Sequence, residues 1–413
     1  MSVEEKAAYR WHMVSYLFLI GCFFGFSLGV MPPLISSIED EMALSHAQVG
    51  MIWGAAALGL LLFSLIGGHA GDRFGVKRVT VIALPFVAAF GGLRAFCHSF
   101  STLAFVMFLL GIAGAFIVPN LAKAVGMWFG PAELGKASGI IAIGGTIGGG
   151  IGMTIAASVL EPWLGGWRNV MLLGAALSLL VWVIWALLAR EREPSGVMAE
   201  LARLRPRFRE GMAKVFRVRD FRLLCIMELI AVGAFAAVAG QFPDILEDKG
   251  MTESMAGIYV GMATWSSLVG MFVGPYFSDR VGLRKIFIWP ILFANIPIVV
   301  LLGFLMGAPL LTLILISGLL GGCAGPMLRV LILENQRIGP VLAGTAFGAL
   351  ATVGGIGAAV IPALMGWVMD ATGQPWSGFV LLGVLGIIPA MVILPIRETG
   401  RRAREALAQA GSE

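Results

Sequence analysis

The sequence is poor in charged residues, and this shortage limits the class of protein it can encode. Only 13% of its 413 residues are Asp, Glu, Lys or Arg, whereas 58% are hydrophobic. A soluble domain does not need so much apolar surface, and each membrane-spanning helix requires about 20 apolar residues. The composition therefore excludes a soluble protein and predicts an all-α polytopic membrane protein with roughly twelve transmembrane helices.

Cysteine and histidine are also scarce, at four residues each. The cysteines lie in or beside apolar runs and form no C-x-x-C pair, so neither a disulfide framework nor a zinc site is expected. All four histidines fall near predicted helix ends, and no metal role is expected for them.

Motifs for catalysis and cofactor binding are missing as well. The sequence contains no P-loop, HExxH or catalytic-triad signature, and the glycine-rich stretch 144–152 completes no G-x-G-x-x-G. We therefore expect no enzyme and no cofactor. The net charge of +5 does not indicate nucleic-acid binding, because the basic residues collect in particular loops.

A polar turn between two apolar runs occurs twice, at 68–78 and 275–285. The two copies match at an offset of 207 residues, half of the chain, in Asp72 and Asp279, Arg73 and Arg280, and Gly75 and Gly282. Gly75 permits a left-handed turn, and Asp72 can cap a helix. The repeat predicts a duplicated unit.

The repeated turn resembles the loop signature of the major facilitator superfamily of transporters, Gly-x-x-x-Asp-Arg-x-Gly-basic-basic. Val76 replaces one basic residue in the first copy, and Pro275 replaces the leading glycine in the second. The resemblance implies twelve helices in two pseudo-symmetric six-helix bundles that work by alternating access. It also implies that the inner gate is held by Asp72, Arg73, Lys77, Asp279 and Arg280.

The domain boundaries follow from the hydrophilic segments. We expect an N-terminal bundle over 1–189, a basic linker with an amphipathic helix over 190–220, a C-terminal bundle over 221–397 and a tail over 398–413. The Lys and Arg residues gather in segments on the same side of the membrane as the linker. Both termini are therefore expected on the cytoplasmic side of a bacterial inner membrane.

Polar residues inside the spans are the candidates for the solute and coupling pathway, because charges there are costly and face a cavity or a partner. In the superfamily, the first, fourth, seventh and tenth helices line the path. On that resemblance the candidates are Tyr16, Asn120, Lys123, Glu228, Gln241 and Arg329. For Asn120 an interhelical hydrogen bond and for Lys123 snorkelling to the headgroups are open alternatives. Glu228 and Arg329 are predicted to lie at similar depth and to interact.

The fifth predicted span carries Gly145 and Gly149 on one face. We expect this face to pack closely against a helix of the other bundle.

The segments 92–94, 128–133 and 136–139 resemble the bacterial small-anion branches of the superfamily, which include organic-anion, monocarboxylate, nitrate and cyanate carriers. The expected function is transport of a small carboxylate-type anion, either coupled to protons or by exchange. The protein is expected to act as a monomer in the lipid membrane. One alternative is proton-coupled efflux of amphipathic compounds, although Met107 stands where many such exporters have an arginine. The other alternative is a non-transporting membrane sensor.

Overall fold

Long apolar helices dominate the computed structural model, which describes residues 3–129, 131–191, 208–335, 337–400 and 402. In chain order the helices are α1 (Val3–Gly29), α2 (Ile35–Met42), α3 (His46–Phe74), α4 (Val76–Leu93), α5 (Phe100–Trp128), α6 (Pro131–Ile155), α7 (Glu161–Leu164), α8 (Trp167–Leu188), α9 (Phe208–Arg217), α10 (Arg219–Asp248), α11 (Glu253–Val281), α12 (Lys285–Leu302), α13 (Gly307–Glu334), α14 (Gly339–Thr372) and α15 (Trp376–Val392).

Eleven helical segments within these ranges are long and apolar enough to cross a membrane, and α1 and α2 together form the first of them. The helix α15 is apolar but shorter, at 17 residues. These segments confirm the predicted all-α polytopic membrane fold and agree with a count of twelve.

By its contacts the chain forms two units. Unit 1 contains Met1–Ala202 together with Ala239–Gly261, and unit 2 contains Arg203–Val238 and Met262–Glu413. The end of α10 and the beginning of α11 therefore pack with unit 1. The predicted domain boundaries stay predictions, and residues 192–207 of the predicted linker lie outside the described part of the chain.

The helix α9 lies within the predicted linker and belongs to unit 2. Its Val215 is fully buried in the core of that unit together with Phe221, whereas Arg209 and Glu210 are exposed. The segment is therefore an amphipathic helix with its apolar side against protein.

Glycines in unit 1 bring α1 and α6 into backbone contact. A Cβ on Gly25 or Gly29 would collide with the backbone of Gly145 or Gly149, respectively. The sequence analysis expected the Gly145 and Gly149 face to pack against a helix of the other bundle. The structure corrects this expectation, because the face packs against α1, which belongs to the same half of the chain. Four-residue glycine spacing on both helices explains this, because each glycine row admits the other backbone.

Candidate functional site

The first signature turn is built around Gly75 and a carboxylate that is distant in the sequence but in direct contact with the turn. Gly75 has φ +89°, the positive value that its sequence context predicts. The carboxylate of Glu191 accepts hydrogen bonds from the backbone N–H groups of Val76 at 3.0 Å and Lys77 at 2.8 Å. Glu191 thereby satisfies two free donors at the start of α4 and places negative charge at a helix N-terminus.

The second turn repeats this arrangement in unit 2. Gly282 has φ +77°, and Glu398 accepts hydrogen bonds from the backbone N–H groups of Arg284 at 2.7 Å and Lys285 at 3.1 Å. Sequence reasoning missed both carboxylates. A signal was available, since Arg190-Glu191 and Arg397-Glu398 are 207 residues apart, the offset of the turns themselves.

Arg284 organises the second turn further. Its guanidinium pairs with Asp279 and lies 3.1 Å from Glu334, and it also donates to Ser278 at 3.1 Å. Burial alone would lower the pKa of Arg284, but the hydrogen bonds to Glu334 and Asp279 outweigh it, and the pKa lies above its ordinary value. Arg284 therefore stays charged and joins the ends of α11 and α13.

The other predicted gate residues have simpler surroundings. The guanidinium of Arg73 is exposed and lies 5.3 Å from the ring centroid of Phe74. Arg280 is also exposed, and Lys77 contributes its backbone N–H to Glu191. The side chain of Asp72 lies outside the described part of the chain. The gating role of these residues stays a prediction.

Removing the carboxylate cap should destabilise unit 2. We expect Glu398→Ala to lower the stability of the purified protein by about 1 kcal/mol, because two helix-start N–H groups lose their acceptor. Thermal unfolding in detergent measures the change. Glu210→Ala, at an exposed position on α9, is the control and should leave the transition unchanged. An unshifted transition for Glu398→Ala would contradict the capping role.

Two of the predicted pathway residues in unit 1 bind the backbone of α3. The Nδ2 group of Asn120 donates to Gly67 O at 2.9 Å and to Phe116 O at 2.8 Å, and the Nζ group of Lys123 donates to Gly68 O. Asn120 is fully buried. In this conformation both side chains therefore brace α5 against α3, and their contact with solute stays a prediction.

The remaining candidates divide between the two units. In unit 1, Gln241 is fully buried and Tyr16 packs against the core. In unit 2, Glu228 is half-buried beside Gly354 of α14, and Arg329 is exposed. No direct ion pair joins Glu228 and Arg329 among the described residues. The predicted interaction therefore stays a prediction.

A polar cluster that the sequence did not predict lies in unit 1. The donor atoms of Glu39, His46 and Asp244 all lie within 4.8 Å of one another. They come from α2, α3 and the end of α10, and Asp244 is 198 residues from His46 in the sequence. No local motif signals such a cluster, because the fold alone brings these residues together.

Comparisons with known proteins agree with this architecture. The family model of the Major Facilitator Superfamily matches residues 17–335 and 224–412. The chain is 25% identical to a hexuronate transporter of Bacillus subtilis, over 92% of this chain and 93% of the relative. It is 27% identical to a cis,cis-muconate transport protein of Acinetobacter baylyi, over 89% and 91%.

A solved structure shares the fold. It is that of a bacterial homologue of the human lysosomal transporter Spinster in an inward-facing, occupied conformation, with a TM-score of 0.74 and 16% identity over 93% of this chain and 96% of that chain. The duplicated turn, the apolar helices and the matching family model lead to one conclusion: the chain belongs to the major facilitator superfamily.

Proposed function

We propose that the protein is a secondary transporter that moves a small carboxylate-type organic anion across a bacterial inner membrane by alternating access. One observation carries the choice of solute. Arg329 lies in the apolar helix α13, is exposed, and forms no direct ion pair among the described residues. A guanidinium in such surroundings binds a carboxylate strongly, because it offers planar, paired donors.

The relatives support this choice of solute. The hexuronate and cis,cis-muconate transporters are named for carboxylates, and their similarity to this chain extends over nearly its full length. Positive charge around both signature turns favours a cytoplasmic location of these turns and of both termini. One chain supplies both duplicated halves, so a monomer suffices for alternating access.

The test is uptake into proteoliposomes with a panel of hexuronates, aromatic carboxylates and dicarboxylates. We expect Arg329→Gln to reduce uptake of the accepted solute at least about tenfold, because a hydrogen bond to a charged group is worth roughly 1.5–3 kcal/mol. Arg329→Lys should retain part of the activity. Arg337→Gln, which removes an exposed arginine beyond α13, should transport normally. Failure of every carboxylate to move or bind would overturn the proposed solute class.

A further inference from the structure

The cluster of Glu39, His46 and Asp244 has the spacing of a metal site. The Nδ1 atom of His46 lies 2.9 Å from Asp244 Oδ2 and 3.9 Å from Glu39 Oε1. Ligands bound at 2.0–2.2 Å in tetrahedral geometry lie about 3.3–3.6 Å apart. The two separations from His46 fall on either side of that range, and the two carboxylate oxygens lie within 4.8 Å of each other, so side-chain shifts of about 1 Å or less bring the three donors around one ion.

The backbone holds His46 firmly in this position. Ala43 ends α2 with φ +51°, and Ser45 then caps α3. The Ser45 hydroxyl accepts from Gln48 N at 3.3 Å, while Gln48 Oε1 accepts from Ser45 N at 3.0 Å. This reciprocal capping box fixes the first turn of α3. His46 is the first residue of that turn, so its imidazole starts from a defined position next to α2.

Burial makes two adjacent ionised carboxylates costly. Only 8% of the Asp244 side chain and 12% of the Glu39 side chain are exposed. The Oε1 atom of Glu39 is inaccessible to solvent, and its carboxyl group lies against that of Asp244. Two adjacent buried carboxyl groups need a proton, a counter-charge or a coordinated ion, and a divalent cation between them would meet this need for both at once.

A fourth residue, Asp248, lies beside the second ring nitrogen of His46. The second ring nitrogen of His46, Nε2, lies 4.0 Å from Oδ2 of Asp248. In metal sites the histidine ligand commonly directs its other N–H at a carboxylate, which fixes the tautomer and the ring orientation. Asp248 lies on the Nε2 side of this imidazole, and a shift of about 1 Å would bring it to the hydrogen-bond distance of an orienting group.

We propose that Glu39, His46 and Asp244 bind a divalent transition-metal ion, with Asp248 orienting the imidazole. One nitrogen and two carboxylate oxygens suit Zn²⁺ or Mn²⁺, whereas Ca²⁺ and Mg²⁺ prefer oxygen ligands alone. The ion would tie the end of α10 to α2 and α3 and would slow any movement that separates them. The site is distinct from Arg329 and Glu228, which lie in unit 2.

Zn²⁺ titration of the full-length protein, purified in detergent and stripped with chelator, tests the site. We expect one Zn²⁺ per chain and a raised unfolding temperature. His46→Gln and Asp244→Asn should weaken binding at least about tenfold, and loss of the orienting group in Asp248→Asn should weaken it about 10–100-fold. His98→Gln is the matched control, since this histidine lies beside Glu41 with 74% of its side chain exposed. It should bind like the wild type.

Two results would overturn the proposal. One is the absence of stoichiometric Zn²⁺ binding by the folded wild-type protein. The other is binding that survives His46→Gln or is lost in His98→Gln, because either pattern places the ion elsewhere. Size-exclusion profiles establish that each variant is folded. If Asp244→Asn does not fold, Glu39→Gln replaces it as the second variant. The measurement needs no solute, so its outcome is independent of the proposed transport activity.

Discussion

Glu228→Gln is expected to leave solute exchange intact and to abolish proton-driven accumulation. Glu228 is half-buried on α10 and forms no direct ion pair with Arg329 among the described residues, and we expect Arg329 to supply its counter-charge at longer range. A solute carboxylate that binds Arg329 would compete for that counter-charge. A buried carboxylate without its counter-charge takes up a proton more readily, so solute binding and proton binding would be coupled. Glutamine keeps the shape of the side chain and cannot carry the proton.

The expected size of the effect follows from the driving force. One proton carried down a gradient of one pH unit supplies about 1.4 kcal/mol, which sustains roughly tenfold accumulation of a solute if no other charge moves. In proteoliposomes with an imposed pH gradient, the ratio of internal to external solute should fall to about one for Glu228→Gln. Counterflow of labelled solute without a gradient should continue at a rate near that of the wild type.

The control is Glu210→Gln, which removes an exposed carboxyl on α9 without touching the candidate pathway. It should accumulate solute normally. If Glu228→Gln accumulates solute like the wild type, Glu228 is not the coupling group. If exchange is also lost in the folded variant, Glu228 contributes to solute binding or to helix packing instead.

The fold could be predicted in large part because a membrane imposes simple rules on sequence. The apolar runs fix the number and position of the helices, and the repeated turn reveals the duplication. Positive φ at Gly75 and Gly282 also follows from sequence, since glycine adopts this conformation without steric cost. The partner of the Gly145 and Gly149 face did not follow, because glycine rows indicate close packing without naming the second helix.

The candidate sites were less accessible to sequence reasoning. Glu191 and Glu398 follow helices that end far along the chain from the turns they cap, so only the shared offset connects them. Asn120 and Lys123 are polar residues on an apolar helix, and sequence alone cannot tell a pathway side chain from one that binds carbonyls of α3. Asp244 meets His46 only after the end of α10 has packed into unit 1.

The glycine contact between α1 and α6 leads to a sharp test with neighbouring residues. A Cβ on Gly148 would lie well inside van der Waals contact of the Cys22 carbonyl, whereas the nearest atom to a Cβ on Gly149 is Gly25 O at 3.8 Å. Gly148→Ala therefore forces the two backbones apart, while Gly149→Ala fits the existing space. Since backbone cannot move aside as a flexible side chain can, the separation must extend along both helices.

We expect Gly148→Ala to lower stability by about 1–3 kcal/mol or more, the usual cost of overpacking, and to reduce the amount of folded protein in the membrane. Gly149→Ala should unfold at nearly the wild-type temperature and transport normally, although it makes the same chemical change one residue away. Thermal unfolding and solute uptake by both variants in matched proteoliposomes provide the comparison. Equal behaviour of the two variants would mean that α1 and α6 do not meet in this register, and the backbone contact at Cys22 would have to be abandoned.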